Sequence, residues 1–339
     1  MHSSVNITYI DQERKSEIEA FLNDWNDDND FILAQTSGST GTQKSIHLLK
    51  KHMITSAEKT LDFFHLKPGQ TTYLPLSTET IAGKMMVVRA IVGKLNLIVG
   101  PISSDSLLHC DQYLDFTAIV PLQLEYTLTN EPSKLHNIKN ILVGGAPLSE
   151  LLIKNIVLNK LCVFQSYGMT ETLSHVAIRK IDDYNNLKYC CLSNINLSIN
   201  LNNELIIHAP ELGIDALQTN DIVELHSPTS FTWLGRSDFV INTGGKKIFP
   251  ETIERKLTNL IQVPFFIHGV PDDQLGSRVV LVIESTKKMM YSRKDFETHL
   301  EKYELPKQII FVEQFARTIS QKIDRKTSYL RPHVAETVL

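Results

Sequence analysis

Thr36-Ser37-Gly38-Ser39-Thr40-Gly41-Thr42-Gln43-Lys44 is the stretch on which the reading of this chain turns. Hydroxyl side chains, two glycines and a closing lysine make a loop rich in donors. The glycines let the backbone adopt conformations closed to residues with a Cβ, so successive N–H groups can converge on an anion while Lys44 adds a point charge. Phe31-Ile32-Leu33-Ala34-Gln35, just ahead, reads as a short buried strand. The loop is therefore expected at a strand's carboxyl end, where open α/β sheets bind ligands. Taken alone, the segment is also compatible with an ordinary polar turn. Gly38 to Ser45 nearly fits a Walker loop, but Gln43 stands where that motif has its second glycine. A side chain there would crowd the phosphate, so a P-loop NTPase is the weaker nucleotide reading.

The 339 residues leave room for one large and one small domain, and 42% hydrophobic content suffices for a core in each. A net charge of -4 with no long basic run argues against nucleic acid as the main partner. Met1-His2-Ser3-Ser4 leads into a charged stretch, and no apolar run reaches membrane-spanning length, so no membrane insertion and a cytoplasmic location are expected. Cys110, Cys162, Cys190 and Cys191 show no Cys-x-x-Cys spacing and read as reduced packing residues.

Ile18, Phe21, Leu22 and Trp25 fall on one face of a helix ahead of the first strand, and Met53, Ala57, Leu61 and Phe64 on one face of another. Apolar runs at Thr71 to Leu76, Leu95 to Val99, Phe116 to Val120, Ile138 to Val143 and Leu161 to Gln165 alternate with helical segments. That alternation predicts an α/β fold with a large, mainly parallel sheet flanked by helices. From about Leu187 the strands shorten, and Leu197 to Leu201 with Glu204 to His208 reads as a hairpin in an antiparallel subdomain. Beyond Asp238 a β, α, β, β, α, β succession is expected, with helices near Pro250 to Leu260 and Arg293 to Tyr303. Gly235-Arg236-Ser237-Asp238 is the expected boundary, which gives domains 1–235 and 238–339.

Tyr167-Gly168-Met169-Thr170-Glu171-Thr172 forms a second strand-end loop. Tyr167 offers a face to a base, Thr170 a hydroxyl to a phosphate oxygen and Glu171 a hard carboxylate to Mg²⁺. On its own the loop reads equally as a turn with a core tyrosine and capping Thr and Glu. Gly144-Gly145-Ala146 adds a backbone that a planar base can approach closely. Asp221 and Arg236 flank a pair of expected strands and are singly unremarkable surface charges.

In order along the chain, the Thr36 to Lys44 loop, the Tyr167 to Thr172 segment, Asp221, Gly235 to Asp238 and Arg317-Thr318-Ile319-Ser320-Gln321-Lys322-Ile323-Asp324-Arg325 resemble the motifs of the adenylate-forming enzymes, the acyl-CoA synthetase superfamily. The resemblance runs from about Phe31 to the C-terminus. It implies a nucleotide-binding domain, a small mobile C-terminal domain, ATP and CoA as co-substrates, and Mg²⁺. It assigns Thr36, Ser37, Gly38, Ser39, Thr40, Gly41 and Lys44 to the phosphates, Tyr167 to adenine, Thr170 to phosphate and Glu171 to the metal, and Gly145 and Ala146 join the ATP site as the backbone beside the base. Asp221 falls to the ribose hydroxyls and Arg236 to the ribose and phosphate. Asp238 resembles the hinge, Gly244-Gly245-Lys246 the loop brought in for thioester formation, and Lys322 the lysine bridging the α-phosphate and the substrate carboxylate. A carboxylate attacking an α-phosphate brings two anions together, which is the chemical reason for that lysine. Arg317, Asp324 and Arg325 read as local ion pairs shaping the segment.

Gln43, Asn220 and Gln321 depart from the proline and two glycines usual at those places, and the region ahead of the phosphate loop is short for the superfamily. That compact front, with Ser174 and His175 following the Glu171 motif, is similar to the o-succinylbenzoate-CoA ligases of the menaquinone pathway. The expected acyl contacts are Ser174, His175 and Lys84, the last being the candidate partner for a second substrate carboxylate. A ligase for another aromatic acid, an enzyme loading a carrier-protein thiol, and a nucleotide-binding relative without turnover stay open, as does a homodimer.

Overall fold

A computed structural model describes residues 5–35, 44–317 and 323–339. Its centre is a twelve-stranded sheet. Asn6–Tyr9, Asn96–Val99, Thr71–Leu74, Phe116–Ile119, Ile141–Val143 and Val163–Gly168 lie side by side in that order, all parallel. The runs in the five inner strands are largely buried on both faces, as a parallel sheet between helices demands, whereas the edge strand Asn6–Tyr9, ahead of the helix expected to precede the first strand, is partly exposed. One face is covered by the helices Lys50–Phe64 and Ile81–Gly93, which pack Met53, Ala57, Met86 and Val87 into the core with Phe116. The helices Pro121–Asn130 and Glu150–Leu158 supply Leu124, Leu152 and Ile156 to a second cluster with Ile119, Ile141 and Val163.

The sheet then turns antiparallel through His175–Lys180, Lys188–Cys191, Ser230–Arg236, Ile214–Ser227, Glu204–Ala209 and Asn196–Ile199. The fold is thus α/β with a mixed sheet, its nucleotide-binding half parallel as the alternation predicts. The large sheet ends at Arg236, and a six-stranded sheet starts with Ile241–Thr243. It carries its own core, including Ile253, Leu257, Leu281, Phe296 and Phe311.

Two expectations need correction. Phe31–Gln35 is not a strand of the large sheet: it pairs antiparallel with Ser45–Leu49 in a separate two-stranded ribbon, Gln35 opposite Ser45. Ile32 and Ala34 are buried while Leu33 is 57% exposed, the alternation of a strand with one wet face. Thr36 to Lys44 therefore lies between the two strands of a ribbon in the chain and does not follow a strand of the large sheet. The helix expected over Arg293 to Tyr303 stops at Glu297, where Thr298 Oγ1 bonds the Asp295 carbonyl and Glu304 accepts from the Glu301 N–H. Such side-chain bonds compete with the helical ladder.

Candidate active site

Ile141–Val143 and Val163–Gly168 are adjacent and parallel, Val143 opposite Gln165, so Gly144-Gly145-Ala146 leaves the sheet beside Ser166 and Tyr167. Glycine is needed here twice. A Cβ on Gly144 would lie 2.6 Å from Ser166 Oγ, and Gly145 holds φ +87°. Tyr167 rests edge-on against Phe231 and donates its hydroxyl to Asp221 Oδ2 at 2.7 Å. Burial pushes the Tyr167 pKa well above the usual phenol range, reinforced by the Asp221 carboxylate, so it stays a donor. Asp221 is 7% exposed and faces Arg236 across the sheet. Tyr167, Asp221 and Arg236, scattered in sequence, thus meet, and Gly144-Gly145-Ala146 leaves the neighbouring strand beside Tyr167.

Thr170 is buried and Glu171 exposed in a single 3-10 turn, Thr170–Thr172. The Thr172 hydroxyl receives the Met169 N–H at 2.9 Å and donates to the Ser174 carbonyl at 2.6 Å, which holds Leu173 at φ +64°, a strained value for leucine. Gly168 lets the loop fold back, since a Cβ there would sit 2.2 Å from the Ser174 carbonyl oxygen. Glu171 fits Mg²⁺ as one hard oxygen ligand, because that ion takes one or two carboxylates together with phosphate oxygens and water.

Behind this loop lies a polar cluster only partly foreseen. Ser174 Oγ is 3.2 Å from His175 Nδ1, and His175 Nε2 is 3.3 Å from Thr60 Oγ1. Burial, aided by Arg89, drives the His175 pKa well below the imidazole range and keeps the ring neutral. Lys84 is elsewhere: its ammonium lies 5.3 Å from the Phe21 ring centroid, among Asp24, Glu79 and Glu17. The cation beside Ser174 is Arg89, whose Nη2 donates to Ser174 Oγ at 2.5 Å. Five residues along a helix turn the side chain by about 140°. Arg89 is 2% exposed, its Nε has no hydrogen-bond partner, and no carboxylate pairs with it among the described residues. Burial lowers its pKa to about 9, which leaves it charged at neutral pH. The sequence signal for it was an arginine interrupting the apolar run from Met85 to Val92.

At the junction of the two sheets, Asp238 accepts from Arg236 Nη2 at 2.6 Å and from Asn220 Nδ2 at 3.1 Å. Gly244 and Gly245, at φ +54° and +78°, form the two-residue turn of the hairpin Ile241–Thr243 with Lys246–Ile248. Lys246 lies over the Tyr303 ring at 4.4 Å. Arg325 pairs with Glu254 at 2.8 Å. Thr36, Ser37, Gly38, Ser39, Thr40, Gly41 and Lys322 lie outside the described residues; Lys44 immediately precedes the ribbon's second strand.

Residues 5–205 match the AMP-binding enzyme family, and the chain belongs to that family. It is 24% identical to the 2-succinylbenzoate–CoA ligase of Listeria monocytogenes serotype 4b over 344 aligned positions, covering 92% of this chain and 72% of that protein. The corresponding ligase of Staphylococcus aureus strain MSSA476 is 25% identical, over 97% of this chain and 72% of that protein. Among solved structures, an acyl-CoA synthetase (AMP-forming)/AMP-acid ligase II-like protein from Dyadobacter fermentans superposes with a TM-score of 0.63 at 32% identity over 94% of both chains. The o-succinylbenzoate coenzyme A synthetase of Bacillus subtilis, in complex with ATP and magnesium ion, shares the fold with a TM-score of 0.76 at 20% identity, over 88% of this chain and 69% of that one.

Proposed function

We propose that this AMP-forming acid–CoA ligase activates o-succinylbenzoate, joining it to AMP with release of pyrophosphate and then passing the acyl group to the thiol of CoA. The observation that carries the choice of acid is Arg89. A buried guanidinium with an unpaired Nε is costly by itself and is relieved by an anion brought to it. o-Succinylbenzoate has two carboxylates: the aliphatic one is activated, and the ring one remains charged and needs a partner within an apolar pocket. Arg89, with Ser174 and neutral His175, provides that partner. The 2-succinylbenzoate–CoA ligases among the relatives support the same acid.

In this account Tyr167 and the Gly145-Ala146 backbone sandwich the adenine, and Asp221 accepts from the ribose hydroxyls. Thr170, Lys44 and the loop from Thr36 to Gly41 hold the phosphates. Glu171 would hold Mg²⁺, which when bound would supply positive charge beside the phosphates. Lys322 places its ammonium on the oxygens shared between carboxylate and α-phosphorus, where charge develops. The unit from residue 238 onward then turns about Asp238 and brings Gly244-Gly245-Lys246 to the CoA. ATP–pyrophosphate exchange across a panel of acids tests the substrate. Exchange should depend on acid and be strongest with o-succinylbenzoate; equal or greater exchange with benzoate, 4-oxo-4-phenylbutanoate or a fatty acid would remove it.

A further inference from the structure

We infer that Trp233 is a positioning residue that fixes the ribose-binding carboxylate and so sets discrimination between ribose and deoxyribose nucleotides. The inference rests on the assignment of Asp221 to the ribose. Asp221 is held by two neutral donors, one per oxygen: Tyr167 Oη donates to Oδ2 at 2.7 Å and Trp233 Nε1 donates to Oδ1 at 3.0 Å. An ionised carboxylate has about four acceptor sites, so one donor on each oxygen leaves each oxygen free to accept a further hydroxyl. Two such oxygens, held in one plane, match a vicinal diol. With either donor gone, the carboxylate is free to turn about its Cβ–Cγ bond.

Trp233 reaches this place through an irregularity of the sheet. Asp221 pairs with Arg236 and Ile222 with Gly235, but Val223 pairs with Trp233, so Leu234 is the extra residue of a bulge. In an unbroken ladder Trp233 would oppose Glu224 and point to the other face. The bulge puts the indole on the same face as Asp221, where it packs half-buried against the large core.

The test is pyrophosphate exchange with ATP and with 2′-deoxyATP, in wild type and in Trp233→Phe, Tyr167→Phe and Asp221→Asn. Trp233→Phe keeps an aromatic ring and removes only the N–H. It should raise KM for ATP roughly tenfold, the scale of a lost bond to a charged group. KM for 2′-deoxyATP should move less than about threefold, so the ratio of the two kcat/KM values shrinks. Tyr167→Phe should shrink it likewise. A Trp233→Phe enzyme whose two nucleotides weaken alike, while Asp221→Asn shrinks the ratio, overturns the role of Trp233 and leaves the ribose assignment standing. A ratio that Asp221→Asn also leaves unchanged overturns both. Should Trp233→Phe fail to fold, the Tyr167→Phe ratio decides the matter, because the same two-donor clamp is then read from its other side.

Discussion

Arg89 and Lys84 make a matched pair of predictions at the scale of single residues. Lys84 sits over Phe21 near three carboxylates, whereas Arg89 is buried without one. Arg89→Met is expected to raise KM for o-succinylbenzoate at least tenfold, the scale of an unpaired buried charge. It should barely change, or improve, that for 4-oxo-4-phenylbutanoate, which lacks the ring carboxylate. Lys84→Met should change neither by more than about twofold, since its ammonium lies over the Phe21 ring and the cation beside Ser174 is Arg89. Steady-state kinetics with both acids checks the pattern, and equal weakening of the two by Arg89→Met would show a packing role only. The sequence could not separate these two cations. Both lie in one helix, and Arg89 falls in a run so uniformly apolar that no face is marked. Asp221 and Tyr167, by contrast, were singled out by their place in an ordered set of motifs, since Asp221 lies in the middle of the strand Ile214–Ser227 and is by itself an ordinary charge.

At the scale of elements, the turn after Val163–Gly168 depends on close approach. Gly168→Ala places a methyl 2.2 Å from the Ser174 carbonyl oxygen, a backbone atom that cannot move aside cheaply. The expected cost is about 2 kcal/mol in stability, read as a lowered denaturation midpoint, with adenylation slowed more than tenfold as Thr170 and Glu171 shift. Unchanged exchange kinetics would mean that the loop is not part of the site. The five inner parallel strands were readable as short apolar runs between helices, whereas the edge strand Asn6–Tyr9 was not, because its alternation of polar and apolar residues is partly exposed and makes no such run. Phe31–Gln35 misled because four apolar residues in a row specify a strand but not its partner. The bulge at Leu234 is likewise set by pairing across the sheet, which single-strand periodicity does not record.

At the scale of the molecule, Glu251 joins the two sheets. Its Oε1 accepts from the Arg236 N–H at 3.4 Å, its Oε2 is buried without a partner, and Arg325 lies 3.9 Å away. Burial raises its pKa from 4.5 to about 7, with Glu254 adding to the rise and Arg325 opposing it. A carboxyl whose folded pKa is raised contributes stability that is full below the unfolded value and lost as pH climbs to the folded one. Wild type should therefore lose on the order of 3 kcal/mol relative to Glu251→Gln between about pH 4.5 and 7. Urea midpoints of both proteins across that range check it; a difference independent of pH would place the proton elsewhere.

The central claim is the acid and what becomes of it. The most direct measurement is a competition in one vessel: o-succinylbenzoate, 4-oxo-4-phenylbutanoate, benzoate and decanoate at equal concentration with ATP, Mg²⁺, CoA and the protein, the products identified by mass spectrometry. The account predicts o-succinylbenzoyl-CoA as the dominant thioester, with AMP and pyrophosphate formed in equal amounts to it. A thioester of any monocarboxylic acid in excess, or ADP as the nucleotide product, would contradict it.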